Sequence, residues 1–171
     1  AVDIIDRKTD RNFIADDEAS ARVFYGNGKQ DLPIDECISI TTVELGQNYY
    51  GDSFDEISAG GQDGYYLYPA NYEAKGYPIR VVHLRSRFWV VGYQNHRITA
   101  KWGYSETVPQ AIALATTILA GGIYMYNRGG SSGDVKSEKI GNYSVTYKDQ
   151  EGWDAFSRAL EVIEQYRKIN I

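Results

Sequence analysis

The sequence predicts an α+β fold in which helices at both ends of the chain flank a strand-rich middle. Residues 22–102 contain repeated runs of β-branched and aromatic residues separated by turn residues. An uncharged helix is predicted to begin near residues 105–107 and to end near 127, and an amphipathic helix near 150–168. A length of 171 residues suits one domain with an elaborated insertion.

The start of the chain is predicted to be a short helix over residues 1 to about 10. Position 1 is Ala rather than Met, and residues 1–7 look like the end of a helix that has been cut into. We therefore expect that further residues precede Ala1 in the natural chain.

Strands are predicted in the middle of the chain, with Gly26-Asn27-Gly28 and Gln94-Asn95 among the turns between them. Their spacing favours a small antiparallel sheet or barrel. The predicted strands cover residues 22–25, 38–43, 65–68, 79–84, 88–91 and 97–102.

The long helix carries no charged residue between Thr107 and Asn127, which is about the length that a bilayer crossing needs. Its polar residues and the Gly121-Gly122 pair favour a helix buried in protein instead. Apolar residues occupy more than one side of this helix, so we expect other parts of the protein to pack against more than one side of it. A neighbouring subunit is a natural second cover. One stripe comprises Ile112, Ala115, Leu119, Ile123 and Tyr126, and Leu114, Ile118 and Met125 lie off it.

The last helix has the clearest amphipathic pattern in the chain. Its apolar face comprises Trp153, Phe156, Leu160, Ile163 and Tyr166. The tail that follows ends in Ile169-Asn170-Ile171. An apolar terminus of this kind either binds a partner or docks locally, and the sequence leaves both interpretations open.

The net charge of −5 and the pI of about 5.1 argue against a general nucleic-acid binder, which needs a basic surface. They do not exclude a channel wall past which DNA slides. Acids dominate residues 14–64, and residues 75–101 carry bases and no acid. The acidic and basic side chains of these two segments pair either between neighbouring subunits of a head-to-tail ring or within one sheet.

Catalytic and metal-binding patterns are missing from the sequence. Cys37 is the only cysteine, and the neighbouring Asp35 and Glu36 would raise a thiol pKa, so a structural role is predicted. His83 and His96 lack metal-type partners nearby. The glycine-rich segment 129–137 lacks the spacing of a phosphate loop. We therefore predict no enzymatic activity, no cofactor and no metal.

Three segments together carry a family resemblance: residues 5–13, residues 98–112 with their Gly-Tyr turn and Val-Pro helix junction, and residues 137–147. In this order they resemble the phage head-tail connector (adaptor) family, small proteins that sit beneath the portal. The resemblance spans essentially the whole chain. The sequence departs from the family in its truncated start and its unusually Tyr-rich middle.

The resemblance implies a small antiparallel helical bundle with a large antiparallel β-insertion. The bundle would comprise residues 1–13 and 103–171, and the insertion residues 14–102. It also implies a homo-oligomeric ring, expected to be a dodecamer, in the neck of the virion after assembly in the host cytoplasm. Such a ring would line the DNA exit channel with acids facing the DNA.

The partners implied are the portal protein, a downstream stopper or tail-completion protein, other copies of the chain, and passing genomic DNA without sequence-specific binding; no membrane is implied. Residues expected to bind the portal are Tyr166, Arg167, Lys168, Ile169 and Ile171. Residues expected at a subunit interface or channel loop are Ser137, Glu138, Lys139, Ile140, Asn142 and Tyr143.

Two other classes of function stay open from the residues alone. A Tyr-rich sheet suits a binding module for carbohydrate or protein ligands, and exposed aromatic residues on one sheet face would favour it. An acid-dependent hydrolase would need two carboxylates that converge in a pocket.

Overall fold

The structure is a computed structural model that describes the backbone of residues 1–127, 137–140, 143–146 and 149–168. Side chains are described for residues 1–124 and 157–168. In chain order the elements are α1 (Val2–Thr9), β1 (Ser20–Gly26), β2 (Asp31–Gly46), β3 (Phe54–Ile57), β4 (Tyr65–Tyr68), α2 (Tyr72–Lys75), β5 (Ile79–Leu84), β6 (Gly92–Trp102), α3 (Gln110–Asn127), β7 (Ser137–Ile140), β8 (Tyr143–Thr146) and α4 (Asp149–Gln165).

The chain forms two compact units. A sheet unit comprises residues 12–107, and a helical unit comprises residues 1–11 and 108–171. Helices and an antiparallel sheet both contribute, which confirms the predicted α+β class.

The sheet has the strand order β1-β6-β2-β5-β4, with β3 paired to β2, and all of its named pairings are antiparallel. It is open, because the edge strands β1 and β4 do not pair with each other, and this decides between the predicted sheet and barrel. The long strand β2 pairs with three strands: its first part pairs with β5, its later part pairs with β6 on one side, and its end pairs with β3 on the other. Bulges break the register of the pairings with β5 and β6 and let one strand turn across the core.

The core of the sheet unit forms from the inward-facing side chains of β2, β4, β5 and β6, together with Trp89 from the segment before β6. Trp89 and Trp102 are completely or almost completely buried, and each indole N–H donates to a backbone carbonyl. Cys37 also lies in this core, where burial, and then Asp35, raises the pKa of its thiol to about 12. A thiol with that pKa stays protonated at neutral pH, in keeping with the predicted structural role.

The segment 88–91 was predicted as a strand, and this prediction is wrong: β6 begins only at Gly92. Trp89 turns its indole into the core, and its backbone exchanges hydrogen bonds with residues 28 and 29. The carbonyl of Val90 accepts from two side chains instead of from a strand. The turn predicted at Gln94-Asn95 is wrong as well, because β6 runs through both residues.

In the helical unit, α3 packs on α4. Among the side chains described, the buried ones are Ile112, Ala115 and Leu119 in α3 and Ala159 and Ile163 in α4. Helix α1 contributes Ile5 and contacts α4, and the amide of Lys168 donates to the carbonyl of Thr9 (2.8 Å). Among the residues described, no helix combines the length and apolarity that a membrane crossing requires.

Candidate interaction surfaces

A buried polar pair, Asn95 and His96, lies where β6 begins, and neither residue has exposed surface (0%). The amide of Asn95 is fully used. Its Oδ1 accepts from the Gly26 N–H (3.0 Å), and its Nδ2 donates to the carbonyls of Val90 (2.8 Å) and Asn48 (3.1 Å). One side chain therefore joins the end of β1, the loop after β2 and the segment before β6.

His96 lies at the same place, where these three segments meet, and we call this place the junction. Its Nδ1 accepts from the Gly46 N–H (3.3 Å), so the proton of the neutral ring is on Nε2, which donates to the Val90 carbonyl (3.0 Å). The edge of the ring meets Trp89 at 4.8 Å between centroids. Burial lowers the pKa of His96, an effect that the hydrogen bond to Val90 partly opposes.

Three glycines make the close packing around the polar pair possible. A Cβ added at Gly26 would lie 1.6 Å from the Val90 oxygen, and one at Gly46 would lie 1.9 Å from the Asn95 oxygen. A Cβ at Gly92 would lie 2.3 Å from the Asn95 Nδ2. All three distances are far inside van der Waals contact, so the backbone approaches the pair only where the side chain is missing.

The stability of the sheet unit should depend on pH through His96. Its folded pKa lies below the ordinary value of 6.5, so below pH 6.5 the unfolded chain binds a proton that the folded chain does not. Stability should be full above pH 6.5 and fall as the pH drops toward the folded pKa, by up to about 1.4 kcal/mol per pH unit. Urea unfolding followed by tryptophan fluorescence between pH 8 and pH 5 measures this slope.

His96→Gln should flatten that slope, since a Gln amide offers both an acceptor and a donor and does not titrate. Gln94→Asn is the matched control, because Gln94 is exposed on the same strand and its amide does not titrate, so this variant should keep the wild-type slope. Equal slopes in the wild type and in His96→Gln would show that His96 does not govern this transition.

Large side chains on the outside of the same junction form what we call the aromatic rim. Its members are Tyr25, Tyr49, Tyr50, Phe88, Val91 and Tyr93, all of them exposed. Tyr25 meets Tyr93 edge-on at 5.1 Å between ring centroids, and Tyr49 meets Tyr50 in the same way at 4.9 Å. The backbone N–H of Tyr93 donates to the Tyr49 carbonyl (2.7 Å), which ties the two ring pairs together.

No charged residue lies in the three segments that build the rim, residues 23–28, 45–51 and 88–96. Tyr50 is the most exposed member at 73%. An uncharged group of exposed tyrosines is typical of an interface, where Tyr supplies a large contact area and a polar hydroxyl.

A second uncharged surface lies on α3, opposite the side that packs on α4. We call it the outer face of α3, and it comprises Ala113, Leu114, Thr117, Ala120 and Gly121, all exposed. Leu114 is 62% exposed, and a Cβ added at Gly121 would meet nothing within 4 Å. The predicted burial of this helix on more than one side is therefore not met by the side chains described, and the face needs a cover from elsewhere.

Charges of the sheet unit pair across its strands. Arg97 binds Glu44 through two hydrogen bonds (2.6 and 2.5 Å), and these hydrogen bonds are the main reason that the pKa of Glu44 is lowered. Arg22 meets Asp35 at 2.7 Å, and His83 Nδ1 meets Asp31 Oδ1 at 2.6 Å. Of the two interpretations left open by the sequence, pairing within one sheet accounts for these contacts.

The portal-binding residues predicted from the family resemblance lie after α4. Tyr166 is half-buried and its amide donates to Ile163, while Arg167 is exposed and pairs with Glu164 at 3.1 Å. Lys168 is half-buried, and its backbone is held by Thr9 as described above. Ile169 and Ile171 lie outside the described residues.

The predicted interface or channel loop forms a β-hairpin in part. Ser137, Glu138, Lys139 and Ile140 make up β7, which pairs with β8 so that Ile140 lies opposite Tyr143. Asn142 lies outside the described residues, as do the side chains of β7 and β8.

Within the part of the chain whose side chains are described, no group of three or more His, Cys, Asp or Glu residues is placed to hold a metal ion. Glu56 and Asp63 line an open depression beside Arg87. Both carboxylates are exposed, so this depression lacks the burial that tunes acid-base pairs in hydrolases.

No protein-family profile and no curated protein sequence matches the chain. Solved structures do match. A chain of the neck of an empty gene transfer agent particle, computed with C6 symmetry, has 16% identity and a TM-score of 0.50, over 99% of this chain and 74% of that one. A chain of the virion of a native gene transfer agent particle has 14% identity and a TM-score of 0.53, over 99% and 74%.

A chain of the native particle's neck, computed with C12 symmetry, has 16% identity and a TM-score of 0.51, over 99% of this chain and 79% of that one. The chain thus shares its fold with chains of these phage-like particles. At the level of the fold, this confirms the resemblance found in residues 5–13, 98–112 and 137–147.

Proposed function

We propose that the chain is a structural, non-enzymatic subunit of the neck of a tailed phage or phage-like particle. In this role it is an adaptor that forms a ring beneath the portal and joins the capsid to the tail. The observation that carries the proposal is the likeness in fold, over 99% of the chain, to chains of gene transfer agent necks and virions.

The uncharged surfaces support a ring. The outer face of α3 is apolar and exposed in a single copy, and neighbouring copies in a ring would cover surfaces of this kind. The neck chains of similar fold belong to particles computed with C6 and C12 symmetry, and we propose twelve copies for this ring.

In the proposed assembly the ring contacts the portal on one side and a stopper or tail-completion protein on the other, and DNA passes through it without sequence-specific binding. The net charge of −5 suits a wall that does not retain phosphates, and we propose that acids rather than bases face the channel. The hairpin of β7 and β8 is proposed to face this channel or a neighbouring subunit. We place the protein in the virion neck, with assembly in the host cytoplasm.

The end of the chain is proposed to bind the portal through Tyr166, Arg167, Lys168, Ile169 and Ile171. A chain that ends after Lys168 keeps all of the described structure and loses both terminal isoleucines. We expect this truncation to weaken binding to the portal by about tenfold or more, since a few residues carry most of the binding energy of an interface. Adding Tyr166→Ala should weaken it further. Cosedimentation with portal rings measures both effects.

Glu161→Ala is the matched control for this test, because Glu161 is exposed on α4 and lies outside the proposed contact. It should bind the portal as tightly as the wild type. Wild-type affinity after truncation would remove the tail from the portal interface.

A second candidate function is a binding module for carbohydrate or protein ligands. The observation that favours it is the exposure of the rings of the aromatic rim, since exposed aromatic side chains can stack on a ligand. A glycan array probed with the wild type and with Tyr50→Ala tests it. Binding that is lost in Tyr50→Ala would support the module, and no bound glycan would count against the carbohydrate form of it.

A further inference from the structure

The aromatic rim and the outer face of α3 are two exposed, charge-free surfaces on different units of the chain. We infer that the rim of one copy docks on the outer face of α3 of the next copy. This inference specifies the contact between subunits and rests on the proposed function only for the closure of the ring.

Charge favours a second copy as the occupant. Each copy carries a net charge of −5, so two copies repel each other unless their contact keeps acids apart. Residues 107–127 and the three rim segments contain no Asp, Glu, Lys or Arg, whereas these residues are spread over the rest of the sheet unit. A contact between these two surfaces brings no like charges together and desolvates none.

The exposed side chains of the two surfaces also differ in size, large on the rim and mostly small on α3. The rim presents large rings, and the outer face of α3 presents Ala113, Thr117, Ala120 and Gly121 beside Leu114. Because the space above Gly121 is open, a ring can approach the helix backbone closely there. Tyrosines that insert between small residues bury their rings and leave their hydroxyls at the margin.

The buried pair of Asn95 and His96 prepares the rim for docking. Its hydrogen bonds fix the end of β1 next to Tyr25, the loop that carries Tyr49 and Tyr50, and the segment before Tyr93. A surface that is ordered before it binds loses less conformational entropy on binding. The polar pair therefore contributes to the contact between copies as well as to the stability of the sheet.

The two surfaces differ, so the contact is heterologous: each copy uses its rim on one neighbour and its α3 on another. Such a contact repeats from copy to copy and closes into a ring when the rotation between copies permits. A rim-to-rim contact would instead give dimers and would leave the outer face of α3 uncovered.

The test blocks one surface at a time in the full chain. Tyr50→Glu places an acid in the rim, and Leu114→Glu places one on α3; both positions are exposed, so the fold should tolerate the change. Each variant alone should lose self-association by at least about tenfold and sediment as a monomer. The matched controls Tyr77→Glu and Ser157→Glu, also exposed, should assemble like the wild type.

Mixing the two blocked variants gives the decisive result. Tyr50→Glu retains an intact outer face of α3, and Leu114→Glu retains an intact rim. The rim of the second variant should therefore dock on α3 of the first, and an equimolar mixture should form a 1:1 heterodimer and nothing larger. Analytical ultracentrifugation of each variant and of the mixture, with circular dichroism to confirm folding, measures this.

Three outcomes would overturn the inference: homodimers of either variant alone, assembly of either variant like the wild type, or a mixture that stays monomeric. A wild type that stays monomeric up to millimolar concentration would overturn it too. Binding to the portal is measured separately, so a heterodimer in a protein that ignores the portal would retain the inference and reject the adaptor function.

Discussion

Asn95→Ala is expected to destabilise the sheet unit by about 2–5 kcal/mol, because it leaves buried polar groups without partners. The Gly26 N–H and the Asn48 carbonyl each lose their hydrogen bond to this side chain, while the Val90 carbonyl keeps the one from His96. The residue is fully buried, so water cannot replace the lost amide without entering the core. Urea unfolding followed by tryptophan fluorescence measures the loss.

Asn12→Ala is the matched control, since Asn12 is exposed, its side chain accepts only a long hydrogen bond from the Ile14 N–H (3.4 Å), and the substitution leaves its backbone hydrogen bond with Tyr104 in place. Its effect should stay within about 0.5 kcal/mol. Equal effects of the two substitutions would mean that the hydrogen bonds of Asn95 do not hold the junction together.

Gly26→Ala is expected to have a similar or larger effect for a steric reason. The added Cβ would fall 1.6 Å from the Val90 oxygen and 2.6 Å from His96 Nε2, so the backbone must move apart and the junction must open. We expect a loss of about 3–5 kcal/mol or a failure to fold, together with disruption of the rim. Thermal unfolding and the yield of folded protein measure the result.

Gly121→Ala makes the same chemical change where space is open. In the interior of a helix it should stabilise the protein by about 0.5–1 kcal/mol. The contrast between the two alanines separates close packing from the general effect of replacing a glycine. A Gly26→Ala variant as stable as the wild type would contradict the packing described at this junction.

The helices could be predicted from the sequence because their signals are local. Ile112, Ala115 and Leu119 recur at helical spacing and are buried as that spacing requires, and the same holds for Ile163 of α4. The apolar residues on more than one side of α3 also predicted that the helix needs a second cover. What covers that side cannot be predicted from the helix alone, because a local pattern carries no information about the surface that packs on it.

The junction at Asn95 and His96 could not be predicted, since an Asn in a core has the same sequence signal as an Asn in a turn. Its role depends on hydrogen bonds to residues 47 and 69 positions away along the chain. The full length of β2 was missed for a related reason. Its first part includes Pro33 and three acids, which are unfavourable for a strand in isolation, and pairing with β5 overrides that preference.

The aromatic rim shows what the amino-acid composition can predict and what it cannot. The sequence has 15 Tyr and indicates an interface or an ordinary sheet equally well. The fold gathers Tyr25, Tyr49, Tyr50 and Tyr93 at one junction and leaves them exposed, which favours the interface. Their separation along the chain hides this grouping from any local pattern.

Native mass spectrometry of the full-length protein, alone and mixed with the portal protein of the same particle, tests the adaptor function most directly. The account predicts a complex in which a complete ring of the chain, twelve copies, is bound to the portal ring. A protein that stays monomeric in the presence of the portal and never enters the complex would contradict it.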